Sequence, residues 1–196
     1  MTPARLMMLI CSWVLWSAAT VGSEPPVRFR IDPAASLVWF DADARLHSFR
    51  GQTHTIDGYF TLQSSAPPQL AEAKVIIVAA SLETGNSDRD ADMRNDFLEV
   101  QRFPTIEFGV TELLSPRAIA GGTEWDLVLQ GQLMVHGIAR DVKVPATVSL
   151  GSDRVVARGQ VRLDMRDYNI RVPRLLLIPM KSEVLVGFAV VAQPAM

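Results

Sequence analysis

The sequence predicts an all-β antiparallel fold, a barrel or a sandwich, broken once by a short helical insert. Three observations carry this expectation. Segments in which apolar and polar residues alternate recur about every eight to twelve residues, joined by short polar turns, which is the rhythm of an antiparallel all-β domain. One stretch, Gly85–Phe108, departs from it with helical spacing. The length, 196 residues with 48% apolar, suits one domain with a sizeable core.

The amino terminus is set apart. Arg5 is the only charge before Glu24, and Leu6–Trp16 is a continuous apolar run followed by Ser17, Ala18, Ala19, Gly22 and Ser23. A charge, a short apolar core and then small residues make an export signal, and the run falls short of the ~20 residues a membrane span needs. Residues 1–23 are therefore expected to be a signal peptide, cut after Ala19 or Ser23, with 24–196 as the mature domain. Cys11, preceded by Ile10, is poorly placed for lipid attachment, and its removal leaves no disulfide, thiol nucleophile or thiolate metal site. The formal net charge of the whole chain is −2. No basic run stands out, which argues against nucleic acid or an anionic membrane surface as the main partner.

The mature chain opens with a strand at Arg28–Ile31, stopped by Asp32-Pro33. Ser36–Ala44 alternates, with Val38, Phe40, Ala42 and Ala44 on one face. Arg45–Gly58 is polar and turn-rich; Gly58–Leu62 resumes as a strand, and Gln63–Leu70, with its serines and prolines, is expected to be a surface loop. Lys74–Ser81 is apolar on both faces, as a strand covered on both sides is.

In the insert, Met93 and Phe97 share a helix face, Asn86 or Ser87 caps the start, and Asp88 and Asp90 suit the first turn. Pro104 ends the helix, and Thr105–Thr111 follows as a strand with Ile106, Phe108 and Val110 on one side. Such an insert suits a plug or lid. After a loop through Ser115, Pro116, Gly121 and Gly122, Trp125–Val135 and Asp141–Leu150 form a hairpin about His136-Gly137, with one dry and one wet face. Val155–Leu163 alternates again, Asp164–Met180 is irregular, and Glu183–Ala192 is the last strand.

The apolar faces supply candidates for contact with a ligand in a barrel interior: Phe40, Ile106, Phe108, Leu127, Leu129, Leu133, Val144 and Phe188, with Phe97 and Phe103 from the insert. Gly131, Gly159 and Gly187 are expected to leave space among them. The plain alternative is a dry core of the same residues. Catalytic signals are weak. His47, His54 and His136 lack the spacing of a helical metal pair, and no nucleophile elbow is present. The cluster from Asp88 to Asp96 reads as a solvated helix face, with Arg89 and Asp90 as candidates for tying the insert to the wall. No catalytic residue, metal or cofactor is assigned, and a non-enzymatic role is expected. Trp39, Trp125 and the apolar stretch Leu175–Met180 are the candidates for a docking patch, the last of these also for a cavity wall.

Three ordered blocks carry a resemblance. They are Asp32, Pro33, Ser36, Val38 and Phe40; then Thr84, Gly85, Asn86, Arg89, Asp90, Asp96, Phe97, Leu98, Val100, Phe103, Pro104, Ile106 and Phe108; then Gly131, Leu133, Val135, Gly137 and Ile138. Together they resemble the YceI-like family of lipocalin-like, polyisoprenoid-binding periplasmic proteins, from about Phe29 to Val191. Departures stand at Ala35, Ala44 and Asp92, where family members often carry His, and at Met165, where they often carry Arg. The resemblance implies a lipocalin-like antiparallel β-barrel of about eight strands in the periplasm. It also implies a long-chain polyisoprenoid-type lipid or isoprenoid quinone as ligand, with a membrane cytochrome as a candidate partner and a homodimer left open. The competing expectation is a stress-response or interaction module whose barrel is filled by its own side chains.

Overall fold

The computed structural model describes residues 25–43, 48–119, 121–175 and 178–195. The expected signal peptide lies outside these residues, as do Ala44, His47 and part of the Leu175–Met180 stretch. The described residues form twelve strands: β1 (Val27–Ile31), β2 (Leu37–Asp43), β3 (Ser48–Thr53), β4 (Ile56–Ser65), β5 (Pro68–Val78), β6 (Thr105–Ala118), β7 (Glu124–Val135), β8 (Ile138–Leu150), β9 (Val155–Asp164), β10 (Arg174–Leu175), β11 (Ile178–Pro179) and β12 (Glu183–Pro194), with one α-helix among them, α1 (Ser87–Asp92).

Eight of these strands close into an antiparallel barrel in the order β1-β4-β5-β6-β7-β8-β9-β12, with β12 returning to β1. Closure gives every strand of the ring a neighbour on each side. β2 and β3 extend β1 and β4 beyond a break in each. β12 spans both levels, pairing through Val184–Ala189 with β2 and through Ala192–Pro194 with β1. The break after β1 is built by Asp32-Pro33, as the turn pair predicts. Asp32 Oδ1 accepts from Ala34 N at 3.0 Å, and a 3-10 turn covers Pro33–Ala35. Ser36, fully buried, donates to Asp32 O at 2.7 Å and accepts from Val191 N at 3.0 Å, which pins the kink to β12.

Three expectations are corrected. The polar stretch Arg45–Gly58 contains β3, in which Gly51 and Thr53 are buried while Arg50 and Gln52 face solvent, so alternation was masked by residues of low hydrophobicity. Gln63–Leu70 is not a loop. Only Ala66 and Pro67 turn, and the strands run up to Ser65 and on from Pro68. β6 continues through Ser115 and Pro116 to Ala118 because a register shift between Leu114 and Arg117 absorbs them, with Ser115 at φ 51°.

β5 ends at Val78 and β6 begins at Thr105, so on this side the wall is completed by residues 79–104. A bridge between Gln52 and Glu83, with N···O distances of 2.9 and 3.0 Å, joins this insert to β3. The helix is capped as expected, Asn86 Oδ1 accepting from Arg89 N at 2.9 Å, and it continues beyond α1 as a wider π turn over Met93–Phe97. That turn buries Met93 and packs Phe97 and Leu98 against Val135, Tyr168 and Ile170.

Candidate ligand-binding lumen

The inward faces of the strands enclose two apolar chambers. The lower has a cavity volume of about 180 Å3 and is lined by aliphatic and aromatic residues with no charged side chain. The upper, about 620 Å3, lies between β2, β3, the insert and the segment around Tyr168. Val38, Ile77, Leu133, Leu163 and Val186 belong to both linings, so the chambers meet at a waist made of these five side chains. The upper volume is in the range of ligand pockets, ~300–1,000 Å3, whereas the lower by itself is too small for anything but a slender group.

Phe108, Leu127, Leu129, Val144 and Phe188 line the lower chamber, Phe40, Phe97 and Ile106 the upper, and Leu133 the waist. Phe103 lines neither. Its ring stands 4.4 Å, centroid to centroid, from His136 and over Gly137, wedging the end of the insert against the β7–β8 turn. Sequence reasoning missed Phe49, Tyr168 and Ile170 as lining residues. Phe49 sits in the polar stretch that concealed β3, and the other two lie in a segment with no periodicity to read.

The glycines expected to widen the lumen do something different. A Cβ on Gly131 would fall 2.2 Å from Gly109 O, so this glycine lets β6 and β7 approach. A Cβ on Gly159 would meet Pro145 O at 2.5 Å and the Phe188 ring at 2.9 Å, and one on Gly187 would meet the Trp39 ring at 2.4 Å. The space beside them is already taken by a neighbouring strand or an aromatic ring, so Leu at Gly131 or Gly159 is no test of the lumen alone.

Polar groups gather only at the upper chamber, where Asn86, Arg89, Asp92 and Asp164 contribute to the lining. Arg89 donates from Nε to Thr84 Oγ1 at 2.8 Å and from Nη2 to Thr84 O at 2.9 Å, and its guanidinium lies 4.2 Å over the Phe49 ring of β3. Asp90, buried, accepts from Thr84 N at 2.8 Å and from the Thr84 hydroxyl. These two residues thus fold the insert on itself and lay it on the wall. Asp90→Ala is expected to cost about 1–3 kcal/mol, since it strands the Thr84 donors. Faster amide exchange across residues 84–98 than in β7 is the checking measurement; equal change everywhere contradicts a local tether.

Asp164 accepts from Arg166 N, Nε and Nη2 and from Ser182 Oγ at 3.0 Å, which holds its carboxyl well below the ordinary value of 3.8. Because the folded-state value is depressed, its contribution to stability is complete above that ordinary value and is lost as the pH falls below it. The β9–β12 end is therefore expected to loosen on acidification, and in Asp164→Asn the acid-dependent part of the melting shift shrinks. His54 Nδ1 lies 2.6 Å from Ser36 O, and His136 Nδ1 3.2 Å from Tyr168 O; these two histidines are in contact with backbone at separate places. Among the described residues no three His, Cys, Asp or Glu side chains gather as a metal-binding set, and no helix is long and apolar enough to cross a membrane.

Comparison with known proteins agrees with this architecture. The chain is 28% identical over 164 residues to a UPF0312 protein of Pseudomonas putida (strain GB-1), covering 79% of this chain and 82% of that one. It is 30% identical over 129 residues to a UPF0312 protein of Pseudomonas aeruginosa (strain LESB58), and the match covers 62% of this chain and 63% of that relative's length. Among solved structures, Burkholderia cenocepacia BcnA superposes with a TM-score of 0.69 at 20% identity, over 83% of this chain and 99% of that one. A polyisoprenoid binding domain from Saccharophagus degradans gives 0.66 at 16% identity, over 86% and 99%. These structures share the barrel fold. The YceI-like domain matches residues 29–192, nearly all of the described barrel, and the chain belongs to the YceI-like family.

Proposed function

We propose that this protein is a non-catalytic carrier that binds a long-chain polyisoprenoid-type lipid in the barrel lumen, after export to the periplasm. The observation that carries this reading is the gradient along the lumen. A narrow chamber without charge opens through an apolar waist into a wider one, and of the two only the wider has charged residues in its lining. An amphiphile with a slender tail matches that order, tail below and head beside Arg89, Asp92 and Asp164. Burial of apolar surface at about 0.8 kcal/mol per CH2-sized group supplies the affinity without specific polar contacts. The Saccharophagus degradans neighbour, described as a polyisoprenoid binding domain, supports the ligand class, and an isoprenoid quinone is the form that suits a membrane cytochrome partner.

The test is native mass spectrometry of protein purified from its own periplasm, followed by solvent extraction and lipid identification. One prenyl lipid per chain is expected. Protein that is folded, empty and indifferent to added prenyl lipids overturns the reading in favour of a filled interaction module.

A further inference from the structure

The barrel wall is not laddered throughout. β8 and β9 pair from Leu150↔Val155 only as far as Ala146↔Gly159, although β8 reaches back to Ile138 and β9 on to Asp164. The residue at which the ladder stops is Pro145. Its carbonyl oxygen faces β9, 2.5 Å from where a Gly159 Cβ would sit. In an antiparallel strand a residue's N–H points to the same side as its C=O, so the missing N–H of Pro145 is a donor lost towards β9. Beyond this point the two strands run on without a ladder, and both edges border the lower chamber, Val142 and Val144 on one side and Val161 and Leu163 on the other.

The outer surface flanking this seam is basic. Alternation turns Lys143, Arg158 and Arg162 outward, all three are exposed, and none makes an ion pair among the described residues. Lys143 and Arg162 each lie three residues beyond the last pair, Ala146↔Gly159, one on each lip. Asp141 is the acidic residue on the same face of β8. No basic run is visible in the sequence because the sheet, not the chain, brings these cations together. In a chain of net charge −2 they form a local patch of the opposite sign.

We propose that the β8–β9 seam is a membrane-docking face that sets Lys143, Arg158 and Arg162 on an anionic lipid bilayer. Lipid then passes between bilayer and lumen through the unladdered wall. This rests on the carrier reading above. The occupant follows from two features together: cations without partners attract an anionic surface, and the wall they flank is one where strand separation breaks no ladder.

The test is flotation of protein expressed from the full chain with vesicles of equal parts phosphatidylglycerol and phosphatidylcholine, against phosphatidylcholine alone. Binding only to the anionic vesicles is expected, with about 100-fold loss in Lys143→Glu/Arg158→Glu/Arg162→Glu. Charge reversal keeps the lips charged, so a role limited to preventing edge-to-edge association predicts unchanged flotation and overturns the proposal. Pro145→Thr, which restores the donor, is expected to float like the parent but to exchange a fluorescent prenyl lipid with vesicles about tenfold more slowly. Unaltered exchange overturns the portal. A parent that ignores both vesicles but forms a dimer lost in the triple variant makes the occupant a second copy, and overturns the membrane. A parent that floats yet carries no lipid refutes the carrier reading and leaves the docking face standing.

Discussion

Ala157→Leu is expected to shorten the lipid that the barrel retains. Ala157 lines the lower chamber, between Val148 on β8 and Val190 on β12, so three added carbons extend into the 180 Å3 of open space instead of into packed wall. If the tail of the ligand ends there, one five-carbon isoprene unit is displaced. At about 0.8 kcal/mol per carbon this costs the longest chain ~4 kcal/mol, or about three orders of magnitude in affinity. The protein itself is expected to change by less than ~1.5 kcal/mol, because the added group fills a void. Native mass spectrometry with an equimolar mixture of two prenyl lipids differing by one unit reads the effect directly. A parent that favours the longer and a variant that favours the shorter agree with a tail in the lower chamber. Identical preferences place the ligand elsewhere.

Gly131→Ala is expected to be among the most damaging single-methyl additions in the chain. Its new Cβ meets Gly109 O at 2.2 Å and Val110 Cα at 2.9 Å, both backbone atoms of a strand held in register on its other side by β5. No side chain can swing aside to make room. Relief requires β6 and β7 to part, so the expected loss is ~3 kcal/mol or more. Gly109→Ala is the matched control, since nothing lies within 4 Å of its Cβ. A fall in the urea midpoint for Gly131→Ala with little change for Gly109→Ala is the expected result. Equal midpoints would show that the two strands have slack at their closest approach.

These cases show which parts of the molecule were legible in its sequence. The barrel was, because β7, β8, β9 and β12 alternate cleanly and one face of each turns inward, and the insert was, because Asn86 and Pro104 bracket it. Nine of the ten proposed contact residues line one chamber or both; Phe103 instead packs on His136. Alternation identifies a face but not what stands opposite a glycine, and so Gly131, Gly159 and Gly187 read as openings when they are sites of close approach. Nor does it register where a ladder stops. At Pro145 the side chain obeys the alternation while the nitrogen has no donor to give to the neighbouring strand. β3 escaped notice for the converse reason, its buried positions being held by Gly51 and Thr53.

The aromatic rings resting on glycines have a consequence for the width of the tube. Phe40 lies over Gly51 and Phe188 over Gly159, each pair directly opposite across neighbouring strands, so both rings are stowed along the wall. A ring stored this way contributes apolar surface while taking little of the bore. Adding a methyl group at Gly51 places it 2.2 Å from the Phe40 ring, and a side chain, unlike a backbone, can give way by changing rotamer. The calibre of the upper chamber is thus set by the smaller partner of the pair, outside the surface a ligand touches. One hydrogen exchanged for one methyl is thus expected to move a ring that lines the passage.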